Sequence, residues 1–327
     1  VFALPAGFAA ASLGGTAAGA LFGTGTNYTL VGGQAGGTLV TTGNATAIAG
    51  QGATALFGGD GATTLLGGDG DDTLVGGAGA TSYVTGAGRN LLNLGSGAGT
   101  VLSEGGADTI VAGAGSALVG VQQGATVFGR DGGVTFIGGA KASIFVGGTA
   151  GATVFGGVGG GVFSGGSAGG NILVGGTGAA TLFGGGNGDV LFAGAGGAVM
   201  VGAAAGNATL TAAGGGASTL YAGGGANLLF GGAGNDVLVA GRGQATMSGC
   251  AGADLFVVAN GRAGGGATIV GFNQAQGDRV TLQGYAGGAA AALAGATVGG
   301  GSTVLSLSDG TRVTFQGITG LTTSAFV

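Results

Sequence analysis

The chain has 327 residues, of which 91 are Gly and one is Pro, and only 6 % are charged. Glycine at that level without a Gly at every third position excludes collagen, and so little charge argues against a solvated disordered linker. Net charge is −5 and there is no His, so neither a basic nucleic-acid surface nor His-based catalysis or zinc binding has the residues it needs.

Residues 1–20 match no repeat. They are expected to cap the first coil of the repeat array, because a solenoid end needs covering. The alternative is an apolar arm that adds a strand to a neighbour's sheet edge. The apolar stretch Val1–Phe8 carries no basic residue of its own and is not expected to be a secretory signal. No apolar run in the chain approaches the roughly 18 residues of a membrane span.

From Leu21 short apolar triplets alternate with Gly-Gly, as in Thr29-Leu30-Val31-Gly32-Gly33. The fullest copy is Gly67-Gly68-Asp69-Gly70-Asp71-Asp72-Thr73-Leu74-Val75. Gly231–Val239 and Gly249–Val257 repeat it with few changes. The frame is G-G-x-G-x-D-x-U-x, with U a large apolar residue, which is the nonapeptide of parallel β-rolls that bind calcium. Triplet centres fall at Leu65, Leu74, Tyr83, Leu92, Val101 and Ile110, and again from Phe145 to Phe256, with slips near 117–129, Asn171 and 203–213. Extended triplets put the central residue inward and its neighbours outward. Two nonapeptides make one coil, so equivalent turns recur every second repeat. The fold expected is all-β: a parallel β-roll, or β-solenoid, over 21–257.

Residues 258–327 read differently, as longer alternating strands forming a β-rich cap. Asp309-Gly310 between two of them signals a hairpin, and Ala286–Ala294 suits a short helix or a loop. Cys250 replaces the second Gly of a repeat turn. It reads either as a small stand-in for Gly or as a free thiol open to an intermolecular disulfide.

Calcium takes six to eight oxygens, and backbone carbonyls count among them. Carboxylates at the sixth repeat position, with turn carbonyls of two adjacent coils, suit one ion. Acids or amides that recur at the coil period are therefore the candidates: Asp72, Asn90 and Asp108; Asp236 and Asp254; and, with one charge only, Asp189 and Asn207. Asp69 and Asp71 join Asp72 in one dense turn. The competing explanation is that Asp favours turns. Most other sixth positions carry no charge, so the middle of the repeat array is expected to stand without metal.

The outward ninth position carries an apolar file that includes Val75, Val84, Val146, Phe155, Phe183, Phe192, Tyr221, Phe230 and Val239. With so little charge to oppose association, it reads as a self-assembly face, unless terminal regions cover it. Thr64, Thr73, Thr100, Thr109, Thr153, Thr181, Thr209 and Thr219 precede many triplet centres, broken by residues such as Ser82, Leu91 and Val190. They suggest an alternative, an adhesin or ice-binding face.

The nonapeptides resemble those of the RTX family of bacterial proteins secreted by type I systems. Ile269-Val270-Gly271-Phe272, Gly277–Leu282 and the terminal Ser324-Ala325-Phe326-Val327 look like the segment that follows the last repeat in that family. The resemblance implies calcium as cofactor, an uncleaved C-terminal export signal, and folding outside the cell. The sparse sixth-position Asp and Gly271, where an Asp is common, depart from the pattern. Without His, the protease and lipase branches lack their residues, and no other catalytic set is present. The function expected is an extracellular or cell-surface structural protein, not an enzyme, that polymerises with itself as filament, matrix or surface layer. The adhesin alternative adds a cell-surface glycan as partner. A third reading makes the chain the repeat and secretion module of a larger exported protein. Nucleic acid is not an expected partner.

Overall fold

A computed structural model describes residues 1–4, 7–261 and 265–327. The chain divides into two compact units, Val1–Val162 and Phe163–Val327.

In the first unit two parallel ladders run side by side. The first ladder includes Gly19–Gly23, Gly37–Thr41, Thr54–Phe57, Thr73–Val75, Leu91–Asn93, Ala107–Val111, Gly124–Phe128 and Ser143–Val146. The second includes Tyr28–Val31, Ala45–Ile48, Thr63–Leu66, Thr81–Val84, Gly99–Ser103, Ala117–Val121, Val134–Ile137 and Ala152–Phe155. Successive strands of the chain alternate between the two. Each coil therefore holds two nonapeptides, as the period requires, and Leu74 pairs with Leu92 and Leu65 with Tyr83.

Burial follows the triplets. Leu65, Leu74, Leu92, Ile110, Phe145 and Val154 are fully buried, and their neighbours on either side point outward. The core is a double file of central residues between the ladders, at a strand spacing of about 4.8 Å. Phe136 and Phe145 stack across it with centroids 5.8 Å apart.

The ladders begin earlier than the repeat does. Phe2–Leu4 pairs in parallel with the strand at Leu21, and Ala10–Ser12 with the strand at Leu30. Residues 1–20 thus carry coil strands although they match no full nonapeptide.

The second unit likewise holds two parallel ladders. One runs Ala180–Phe183, Ala198–Val201, Thr219–Tyr221, Val237–Val239, Leu255–Ala259 and Arg279–Gln283. The other runs Ile172–Val174, Asp189–Phe192, Ala208–Thr211, Asn227–Gly232, Gln244–Cys250 and Gly266–Val270. Parallel winding therefore continues past Val257, to Gln283. Then Arg312–Gln316 joins Gly266–Val270 in parallel and turns antiparallel onto Ser302–Ser306. The turn at Asp309-Gly310 closes this hairpin, with the Thr311 amide donating to Asp309 Oδ1 at 3.0 Å. Gly288–Ala294 is a helix. Phe256, Phe272, Phe315 and Phe326 pack ring to ring over the end of this unit's core.

Among the described residues, no helix is long and apolar enough to cross a membrane.

Candidate functional site: the carboxylate turns

The sixth residue of a nonapeptide stands where the turn enters the strand. Its side chain points back into the coil, beneath the turn. Asp72, Asn90, Asp108, Asp189, Asp236 and Asp254 are all buried there. Nearly buried carboxylates need hydrogen-bond donors, and the fold supplies them from the preceding coil. The Thr54 amide donates to Asp72 Oδ1 at 2.7 Å, that of Asp72 to Asn90 Oδ1 at 2.8 Å, and that of Asn90 to Asp108 Oδ1 at 2.8 Å. In the second unit the amides of Ser218, Asp236 and Asp254 donate to Asp236, Asp254 and Asp278 in the same way, at 2.7, 2.8 and 3.0 Å. A column of side chains thus laces each coil to the next at its turn.

The second oxygen separates these residues. Asp72 Oδ2 accepts from the Gly68 amide at 2.8 Å, and Asp108 Oδ2 from the Ser103 hydroxyl at 2.6 Å. Asp189 Oδ2 accepts from the Gly186 amide at 2.9 Å. Asp236 Oδ2 and Asp254 Oδ2 are buried and have no hydrogen-bond partner among the described residues.

Those two turns fit a hard cation. A Cβ on Gly231 would meet both Asp236 Oδ2 and the Gly249 carbonyl, and one on Gly249 would meet Asp254 Oδ2. Carboxylate and carbonyl oxygens thus converge over glycines that leave them room. Among the described residues no three acidic, His or Cys side chains gather at one point, so an ion there draws on turn carbonyls for the rest of its shell. Burial raises the Asp236 pKa to about 6; the Ser218 amide opposes this and the Asp254 charge adds to it. Burial also raises Asp254, against the Asp236 amide and with the Asp278 charge. Asp72 is raised by burial as well, against the amides of Gly68 and Thr54. A buried carboxylate that resists ionisation is one that a divalent cation would relieve.

Other candidates lie elsewhere than their spacing implied. Asp69 and Asp71 are exposed, and Asp71 Oδ1 accepts from the Arg89 amide at 2.7 Å on the outside of the turn. Asn207 is also exposed: an extra residue shifts the register, so Asp189 pairs with Ala208. Asn207 instead donates its amide N–H to Asn187 Oδ1 at 2.9 Å. The partner of Asp189 is Asn171, whose backbone and side-chain nitrogens donate to Asp189 Oδ1 at 2.9 and 2.7 Å. Three members of these columns escaped sequence reasoning. Asn171 stood at a slip, Asp278 follows Asp254 at a spacing of 24, and Ser103 lies outside the sixth position.

The outward file is largely as expected. Val146, Phe155, Phe183, Phe192, Tyr221 and Phe230 are exposed, and Val75 and Val84 half-buried. Val239 is not part of it. It is 8 % exposed, flanked in register by the Tyr221 ring and by Val257 on strands about 4.8 Å away. The seventh position adds exposed apolar residues that the file omitted, among them Leu91, Leu118, Ile144 and Leu228.

A family model for the RTX calcium-binding nonapeptide repeat matches residues 48–83, 57–92, 84–117, 165–199 and 213–247. The chain carries RTX repeats. The matched stretches, which make up less than half of it, hold Asp72, Asn90, Asp108, Asn171, Asp189 and Asp236. RTX nonapeptides bind calcium, which is the cation that the Asp236 and Asp254 turns fit. No curated protein matches the chain. Among solved structures, the extracellular lipase LipA from Serratia marcescens matches at 16 % identity and a TM-score of 0.28, over 72 % of this chain and 45 % of that one. At that TM-score the likeness carries no argument. The chain spans less than half the length of that lipase.

Proposed function

We propose that this RTX β-roll is an exported structural protein that assembles with copies of itself through its outward apolar side chains. Calcium steadies selected turns of the roll. The observation that carries this reading is the exposure of large apolar residues at register-related positions. In the first unit Phe57, Phe128 and Val146 face out from one ladder, and Leu102, Ile137 and Phe155 from the other. In the second unit Phe183, Tyr221, Phe192 and Phe230 do the same. Apolar patches beyond a few hundred Å² on a soluble surface mark interaction sites. Only twelve acidic and seven basic residues stand against association. Electron microscopy and sedimentation of the protein in calcium test the reading. Ordered filaments or sheets are expected; monomers persisting at high concentration overturn it.

A second reading has its own observation. Sorting the Thr residues by ladder leaves Leu91, Val199 and Leu228 between Thr residues, but gives one unbroken hydroxyl run in the first unit. Thr29, Thr46, Thr64, Ser82 and Thr100 are consecutive in-register residues of one ladder, whereas Leu91 belongs to the other. Beside them run Val31, Ile48, Leu66, Val84 and Leu102. An uncharged hydroxyl column beside an aliphatic column suits a regularly repeating surface such as ice or a glycan. Thermal hysteresis or a glycan-array signal, lost in Thr64→Lys, would favour it over assembly.

A further inference from the structure

Two of the sixth-position pairs already contain what a bridging cation would supply. Asn90 Nδ2 donates to the Ala87 carbonyl of its own turn at 3.1 Å and to Asp108 Oδ1, one coil on, at 3.1 Å. In the other unit Asn171 Nδ2 donates to the Gly166 carbonyl at 2.8 Å and to Asp189 Oδ1 at 2.7 Å. Each amide nitrogen thus joins a turn carbonyl to the carboxylate of the next coil. Those are the two kinds of oxygen that a calcium ion draws together in such a turn.

The orientation of each carboxamide is set by its other end. Asn90 Oδ1 accepts from the Asp72 amide at 2.8 Å, and Asn171 Oδ1 from the Gly166 amide at 2.8 Å. Flipping either side chain would set its NH2 against a backbone N–H and its oxygen against a carboxylate. The oxygen end is therefore committed to the backbone, and the nitrogen end to the carboxylate. The remaining oxygens, Asp108 Oδ2 and Asp189 Oδ2, accept from Ser103 and Gly186. Neither carboxylate keeps an oxygen in want of a partner. At Asp236 and Asp254 the coil before carries Ser218 and Asp236 in place of Asn, and each Oδ2 is left unpartnered.

We infer that Asn90–Asp108 and Asn171–Asp189 are metal-independent rungs, in which a carboxamide stands in for a bridging calcium, and that among these pairs calcium is confined to the Asp236 and Asp254 turns. An Asn at the sixth position, one coil before an Asp, is thus a built-in replacement for the ion. The rung holds whether or not calcium is present.

Native mass spectrometry of the full chain counts bound calcium, and thermal melts in calcium and in chelator read its effect. Asp108→Asn and Asp189→Asn are expected to keep the wild-type calcium count, and Asp254→Asn to lower it. Asn90→Asp and Asn171→Asp place two carboxylates face to face. Each is expected to bind one additional calcium and to melt roughly 5 °C lower in chelator, with recovery in calcium. A variant that folds only once calcium is added gives the same answer. Loss of calcium in Asp108→Asn or Asp189→Asn overturns the inference. So does either Asn→Asp variant that gains no calcium, or that stays unfolded in its presence.

Discussion

The amide of Asp236 donates to Oδ1 of Asp254 at 2.8 Å, one coil on, while Oδ2 of each residue is buried without a partner among the described residues. One oxygen of each carboxylate therefore serves the roll, and the other is left for a ligand. The fold and the proposed calcium site draw on the same side chains, so a change to either is expected to be felt by both.

The glycine cradle is the first place to see this. A Cβ on Gly249 would press on the Asp254 carboxylate, whereas one on Gly215 meets nothing within 4 Å. Gly249→Ala is expected to cut the rise in melting temperature that calcium produces by at least half. Gly215→Ala is expected to leave that rise unchanged. Calcium titrations followed by thermal melts compare them; equal responses would refute the assignment.

Protonation gives a second handle, and its direction comes from burial. Asp236 has a pKa of about 6 in the fold against 3.8 for an exposed carboxyl. Below the lower value both states hold the proton. Between the two values the unfolded chain ionises while the folded one does not, so stability falls as pH rises. The loss continues through about pH 6, where the folded carboxyl itself ionises, and levels off above it. Asp254 and Asp72 are shifted the same way. In chelator the protein is expected to resist urea better at pH 4 than at pH 7. Calcium at pH 7 should remove the difference by favouring the ionised form. Urea midpoints at the two pH values, with and without calcium, decide it.

Tyr83 is a polar tip in an apolar file. Its hydroxyl is buried with no hydrogen-bond partner within 3.5 Å among the described residues; burial pushes its pKa up to about 12, against the nearby Thr81 hydroxyl. Tyr83→Phe removes the unsatisfied group and keeps the ring. It is expected to leave stability unchanged or raise it by up to about 1 kcal/mol. Chemical denaturation measures the change, and a loss greater than about 1 kcal/mol would mean that the hydroxyl is satisfied in solution.

Cys250 holds a left-handed backbone angle, φ 71°, opposite Gly232 at 102° in the adjacent coil. A side chain costs about 1 kcal/mol in that region, where Gly is at ease. Cys250→Gly is expected to stabilise the protein by about that amount, again by chemical denaturation. Cys250 is exposed and makes no disulfide within the chain.

The period of nine by itself determined the coil. An apolar residue between two outward neighbours, bracketed by Gly-Gly, leaves few ways to bury Leu65, Leu74 and their successors except in stacked turns. It also determined most of the side chains that face out, because alternation along a strand is a local property, although Val239 is covered by its neighbours. Tertiary structure decided the rest. Spacing alone paired Asp189 with Asn207, but an inserted residue slides that register by one and takes Asn207 out of the column, so that the partner of Asp189 is Asn171 on the coil before. Spacing also made Asp108, Asp236 and Asp254 look alike. Only the packed coils show that Asp108 is satisfied by Asn90 and Ser103, whereas Asp236 and Asp254 each keep a free oxygen. A hydrogen bond depends on which donor lies within about 3 Å, and that donor comes from another coil, at a distance the sequence counts but does not measure.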